Sequence, residues 1–128
     1  MQATADHIPE VSAYCPLFQD AVELIGRRWT GAIVRSMLAG SHRFSEILTK
    51  VPGLSDRLLS ERLRELEAAG VVARTVFPET PVRIEYRLTP KGEELRAIVI
   101  SLGEWAEHWA RAEVGVRSPS VVGPATPA

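Results

Sequence analysis

The stretch from Leu54 to Gly92, LSDRLLSERLRELEAAGVVARTVFPETPVRIEYRLTPKG, decides how this chain folds. Leu59, Leu63 and Leu66 recur at i, i+4 and i+7, with Leu58 widening the stripe, so the segment predicts a helix that buries one face. Ser55 stands where an N-cap hydroxyl is needed, and Gly70 follows the last periodic residue as a stop. Beyond it, Val72, Arg74 and Val76 alternate with Ala73, Thr75 and Phe77. After Pro78-Glu79-Thr80-Pro81, the residues Arg83, Glu85 and Arg87 alternate with Ile84, Tyr86 and Leu88. A period of two on both sides of a short connection predicts a hairpin. Its proline-bounded tip is a stiff, solvent-facing excursion, because proline cannot donate to a ladder. Thr89-Pro90 then predicts a helix start, a capping hydroxyl before a proline at the first helical position.

Upstream, Phe44, Ile47, Leu48 and Val51 form a short apolar stripe that Pro52-Gly53 interrupts before the Leu54 helix. Two helices joined by a tight glycine-containing turn make a helix-turn-helix. Trp29, Ala32, Ile33, Ser36 and Met37 keep helical spacing up to Gly40, and Leu17, Ala21, Leu24 and Ile25 mark an earlier helix closing at Gly26. The expected order is therefore helix, helix, helix, recognition helix, strand, strand, helix. This is a mainly α chain with a small β-hairpin (α+β), the architecture of a winged helix-turn-helix. A short strand near Ser41 to Arg43 is a further candidate for the sheet.

The polar face of the Leu54 helix carries Asp56, Arg57, Ser60, Glu61 and Arg64. Its first two turns are the part of a recognition helix that enters a major groove. Arginine there can grip guanine O6 and N7 bidentately, and serine can donate to a base or a phosphate. The competing reading is a solvated face laced with ion pairs, since Arg57 and Glu61 are spaced i, i+4. Arg83, at the base of the wing, is of the type that meets a phosphate or a minor groove, although ordinary hairpins carry such residues too.

Cys15-Pro16, IGRRWT at Ile25 to Thr30, RFSEI at Arg43 to Ile47, LSDRLLSERLRELEAAG and YRLTPKG together resemble the HxlR-type regulators, bacterial winged-helix transcription factors related to the MarR group. The resemblance covers roughly Cys15 to Trp109. It implies a homodimer that binds an inverted repeat in double-stranded promoter DNA, commonly as a repressor. Carried over by position, it implies a DNA-facing set of Ser55, Asp56, Arg57, Ser60 and Arg64, with Arg43 and Ser45 near the backbone and Thr80 and Arg83 on the wing. Pro78-Glu79-Thr80-Pro81 fits the family's wing. Gly31 departs from the bulkier residue expected in the second helix, which slightly loosens the packing argument there.

At 128 residues and 45% hydrophobic content, the chain has the size and core of one compact domain. Its net charge of -1 is not that of a basic DNA-binding domain. Within Leu54 to Gly92, seven basic residues (Arg57, Arg62, Arg64, Arg74, Arg83, Arg87, Lys91) meet six acidic ones (Asp56, Glu61, Glu65, Glu67, Glu79, Glu85). Attraction to DNA must then come from local arrangement, with modest non-specific affinity.

Leu95, Ile98, Val99, Leu102, Trp105 and Trp109 hold helical spacing over about 20 residues, roughly 30 Å, which outruns a small winged-helix body. A two-fold partner using Ile98, Leu102, Trp105 and Trp109 together with Leu17, Ala21 and Leu24 would cover the excess. It would also present two recognition helices to half-sites about 34 to 36 Å apart. The alternative is that the tryptophans pack on the first helix of their own protomer. Arg96, Glu104, Glu107 and His108 interrupt this apolar run, so it is no membrane span.

Cys15 is the only cysteine, which excludes an intramolecular disulfide and a CxxC knuckle. Pro16 beside it reads as a first helical residue, placing the sulfur at a positive helix end, a setting of reactive thiols. The resemblance extends to thiol-based sensors of electrophiles or oxidants, in which Cys15 would bond Cys15 of the partner subunit or a small thiol. The alternative is a small hydrophobe without sensing duty.

His7, His42 and His108 lack metal-ligand spacing, and neither a glycine-rich phosphate loop nor GxSxG occurs, so no metal, cofactor or enzyme activity is expected. Two readings compete with operator binding: a winged helix that docks a protein partner, and a small-molecule sensor with a pocket lined by Trp29, Trp105 or Trp109. Residues 1–13 are expected to be a flexible arm without export features, 14–112 the winged-helix domain and 113–128 a disordered tail. The expected compartment is the cytoplasm.

Overall fold

The computed structural model describes residues 10–114, so most of the expected arm and tail lies outside the described residues. Among the described residues the expected order holds, except that two helices in place of one follow the hairpin: α1 (Pro16–Ile25), α2 (Thr30–Leu38), α3 (Phe44–Lys50), α4 (Asp56–Ala68), β1 (Val72–Phe77), β2 (Arg83–Leu88), α5 (Pro90–Glu93) and α6 (Arg96–Val114). The helix α6 runs two residues past the expected start of the tail. Among the described residues no helix is long and apolar enough to cross a membrane.

The core sits where α2, α3 and α4 converge on the base of the hairpin. Ile33, Val34 and Met37 from α2 meet Ile47 from α3, Leu59, Leu63 and Leu66 from α4, and Val71 and Val72 at the start of β1. The three α4 leucines are at most 1% exposed. Burying them contributes roughly 5 to 9 kcal/mol before chain entropy is counted, which fixes the orientation of the opposite face of α4. Ser55 caps α4, its hydroxyl accepting from Leu58 N at 3.1 Å, and Gly70 ends it with φ +79°.

The turn between α3 and α4 depends on Gly53, whose φ of +88° suits glycine. A Cβ there would stand 3.1 Å from the Trp29 ring. Trp29 is itself in the left-handed region, φ +79°, which for a bulky residue is unfavourable. Burial of its ring against the core holds it there, as does a latch in which Arg62 Nε donates to the carbonyl of Arg28 at 3.0 Å.

β1 and β2 pair antiparallel from Val72↔Leu88 to Phe77↔Arg83. The sheet has two strands among the described residues, so the candidate strand at Ser41 to Arg43 is corrected to a single bond, Tyr86 N donating to His42 O at 2.8 Å. The reason is local: Glu46 accepts from His42 N at 2.9 Å and Arg43 N at 3.1 Å, so those donors serve the start of α3 instead of a ladder. The departure at Gly31 has no consequence for the core. Gly31 is exposed, with nothing within 4 Å of where a Cβ would stand, so it leaves no gap in the core of the protomer.

Thr89 caps the single turn of α5, its hydroxyl accepting from Gly92 N at 3.1 Å. α1 and α6 differ from the other long helices in having no buried residue. Leu95 and Val99 lean on the core, but Ile98, Leu102, Trp105 and Trp109 are 50 to 64% exposed, and Leu17 is 80% exposed. The alternative in which the tryptophans pack on their own first helix is therefore corrected: Trp105 and Trp109 stay half or more exposed in the protomer.

Candidate nucleic-acid interface

Because Leu59, Leu63 and Leu66 face inward, Arg57, Glu61 and Arg64 stand on the opposite side of α4. Arg57 is 87% exposed and reaches Glu61 at 3.3 Å, a surface pair that water and salt loosen readily. Arg64 is exposed, with Ser60 Oγ at 3.5 Å as its nearest partner. Asp56 lies in the first turn of α4, where the helix dipole favours a carboxylate. Ser55 spends its oxygen lone pair on the cap, leaving its hydroxyl proton free to donate. Arg43 and Ser45 are exposed at the start of α3, and Thr80 is exposed at the wing tip. The structure thus gathers Arg43, Ser45, Ser55, Asp56, Arg57, Ser60 and Arg64 around the helix-turn-helix and leaves Thr80 apart on the hairpin.

Arg83 stands differently from the rest. Its guanidinium bonds Glu79 at 2.7 and 3.2 Å, pairs with Glu85, and lies 3.8 Å over the Phe77 ring. The Glu79 hydrogen bond, helped by Glu85, raises its pKa above the ordinary arginine value, and the same bond lowers that of Glu79. In the protein alone this side chain braces the wing. Any phosphate would have to compete with two carboxylates for it.

Two groups outside the expected set brace this surface. Glu85, 7% exposed, anchors the wing base between Arg83 and Arg87, with His42 Nε2 at 3.9 Å. The Arg87 hydrogen bonds, then Arg83, hold its pKa below the usual carboxylate range. Arg62, 8% exposed, ties the flank of α4 to the α1–α2 turn through Arg28 O and through Glu65 at 3.1 Å, which in turn meets Arg27 at 3.1 Å. A helical wheel carried the signal for Arg62: three residues after Leu59 and four before Leu66, it falls on the buried stripe.

The thiol of Cys15 is the N-cap of α1, accepting from Phe18 N at 3.4 Å. It is partly exposed and lines a surface cavity of about 500 Å³ with Val11, Tyr14 and Phe18. A second cavity of about 300 Å³ lies between Ala21, Leu24 and Ile25 of α1 and Leu95. None of the three tryptophans lines either cavity. Trp29 belongs to the turn beside Gly53, with its ring 3.1 Å from where a Gly53 Cβ would stand.

A family profile described as HxlR-like helix-turn-helix matches residues 24–114. The HTH-type transcriptional regulator YvaP of Bacillus subtilis is 54% identical over 98 residues, 77% of this chain and 91% of YvaP. YodB, an HTH-type transcriptional regulator of the same organism, is 42% identical over 95 residues, 74% of this chain and 85% of YodB. The crystal structure of diamide-treated YodB superposes with a TM-score of 0.65 at 41% identity, covering 76% of this chain and 96% of that one. YodB has also been solved bound to quinone. The redox regulator HypR in its oxidized form superposes with a TM-score of 0.67 at 38% identity, over 73% of this chain and 96% of HypR.

Proposed function

We propose, on the premise that this chain belongs to the HxlR-like helix-turn-helix family and is a DNA-binding transcriptional regulator, that it acts as a homodimer on an inverted-repeat operator, reading bases with α4. The observation that carries this reading is the pairing of a core-anchored α4, its arginine-bearing face outward, with terminal helices that have no fully buried residue within the protomer. The exposed apolar side chains of Leu17, Phe18 and Val22 on α1 and of Ile98, Leu102, Trp105 and Trp109 on α6 call for a partner. A second copy using the same surface closes by two-fold symmetry. Arg57 and Asp56 then serve direct readout, with Ser60 and Arg64 meeting the DNA beside them, while Arg43, Ser45, Ser55 and Thr80 hold the duplex backbone. Arg83 joins them only by exchanging a carboxylate for a phosphate.

Repression follows when the occupied operator overlaps a promoter. Cys15 supplies the response to signal: a capped, accessible thiol on a dimer helix, in a chain similar to regulators solved after diamide treatment, with quinone bound and in an oxidized form. With diamide, two Cys15 thiols lose two protons and two electrons to the N=N bond and join as an intersubunit disulfide. A single thiol adds to a quinone ring.

A gel shift on the DNA upstream of its own gene tests the reading. Retarded complexes that Arg57→Ala abolishes while the dimer persists support it. Absence of a shift on any promoter fragment supports a protein-docking role instead. Diamide should release the DNA and yield a non-reducing dimer band that Cys15→Ser lacks.

A further inference from the structure

Between α4 and the hairpin lies a crevice of about 330 Å³ lined by Ser60, Leu63, Arg64, Glu67, Arg74 and Tyr86. Its polar character is a consequence of register. Arg74 lies opposite Tyr86 across the β1–β2 ladder, so both point to the face that looks onto α4. From the helix side, Ser60, Leu63, Arg64 and Glu67 are spaced i, i+3, i+4 and i+7, a single edge of α4 adjoining its outward face. Two guanidiniums therefore open into one space. Neither Arg64 nor Arg74 has a carboxylate within ion-pair distance among the described residues, whereas Arg57, Arg62, Arg83, Arg87 and Arg96 all do. With Glu67 as the one carboxylate in the lining, two guanidiniums leave the crevice net positive, and an anion between them lowers their mutual repulsion.

We propose that this crevice seats a DNA backbone phosphate, held by Arg74 and Arg64 with the Ser60 hydroxyl as a further donor. The inference rests on the DNA-binding reading and adds to it a residue outside the recognition face, Arg74. The position fits the path of a duplex. When α4 occupies the major groove and the wing reaches the neighbouring minor groove, the strand dividing the two grooves must pass between helix and hairpin, where the crevice opens. Arginine suits this task because its planar fork matches two phosphate oxygens. Glu67 at the same edge opposes the anion and sets its affinity. Arg74 thus contributes affinity without sequence information, in contrast to Arg57.

The test is a salt titration of binding to operator and to unrelated duplex DNA, with full-length parent, Arg74→Gln and Glu67→Gln. A dimer carries the crevice twice, so Arg74→Gln should flatten the log K against log salt slope by about 1.8 on both DNAs and weaken both on the order of tenfold. Glu67→Gln should tighten both a few-fold. Arg74 is exposed, so its replacement should leave the melting temperature unchanged. An unchanged slope for Arg74→Gln, or a loss confined to the operator, overturns the proposal, as does weaker binding by Glu67→Gln. If millimolar inorganic phosphate stabilises the parent but not Arg74→Gln while the DNA slopes coincide, the crevice takes a free anion and the proposal also fails. A parent that binds neither DNA at low salt refutes the DNA-binding reading itself, and the crevice proposal with it.

Discussion

Arg62 and Arg57 lie five residues apart on one helix and should fail in opposite ways when each is replaced by methionine. Arg62 is 9% exposed in its side chain, with Nε 3.0 Å from Arg28 O and Nη1 3.1 Å from Glu65. Methionine preserves most of the apolar stem but removes every donor. The Arg28 carbonyl then loses a hydrogen bond from a charged group, worth about 1.5 to 3 kcal/mol. Glu65 is 35% exposed and retains Arg27 at 3.1 Å, so after solvent screening its loss adds at most about 1 kcal/mol. The sum, roughly 2 to 4 kcal/mol, corresponds to a fall in melting temperature of about 10 to 25 °C for a domain of this size. Arg57 is 87% exposed and paired only with Glu61, so Arg57→Met should stay within about 0.5 kcal/mol of the parent. It should nevertheless lose about 1 to 3 kcal/mol of operator discrimination. Calorimetry at one fixed protein concentration, which a dimer requires, and gel shifts well below the melting point separate the two outcomes. An Arg62→Met protein that melts within about 3 °C of the parent would refute the latch, and so would an Arg57→Met protein that is equally destabilised.

Trp105 is 64% exposed, so covering it in an interface removes roughly 100 to 160 Å² per subunit, worth about 5 to 8 kcal/mol over two copies. Trp105→Ala should therefore raise the dimer dissociation constant on the order of a thousandfold or more, which light scattering across a dilution series would detect; an unchanged constant contradicts the interface. Gly53→Ala and Gly70→Ala both place a Cβ at positive φ, but only Gly53 has the Trp29 ring at 3.1 Å. Gly53→Ala should thus be the more destabilising by roughly 1 kcal/mol in urea melts, and equal losses would show that the ring gives way freely. Glu46, Glu79 and Glu85 have pKa values lowered in the folded state, by the His42 N–H, Arg83 and Arg87 respectively. The unfolded chain therefore binds more protons as acid is added. The stability these groups confer should be complete above about pH 5 and decline as pH falls through their folded values. Glu85→Gln should flatten that decline in acid-denaturation curves, and a steeper one would reverse the assignment.

Much of the fold was legible because period and punctuation agreed. Ser55, the leucine stripe and Gly70 fixed α4, and two alternating runs around Pro78 and Pro81 fixed the hairpin. The terminal helices could be read as surplus because their apolar residues outrun the core they lean on. What failed to show was side-chain pairing beyond the i, i+4 contact of Arg57 with Glu61. Ser41 to Arg43 carried only a weak strand signal, and the Glu46 carboxylate claims its donors, a contact between side chain and backbone that no periodicity reports. Arg83 looked like a free cation, and only the register that brings Glu79, Glu85 and Phe77 around it shows it engaged. Arg74 read as one alternating strand residue among several until the packing of the hairpin set it beside Arg64.

The most direct measurement is the distance between the two recognition helices of the dimer in solution. A spin label at Ala68→Cys, on the outward side of α4 in a Cys15→Ser background, reports it by pulsed electron resonance. Two copies joined through α1 and α6 should give one dominant separation close to the 34 to 36 Å spacing of successive major grooves, within about 5 Å for the label arms. A separation below about 20 Å would contradict that assembly by facing the helices toward each other, and the absence of any dipolar signal would leave only a monomer.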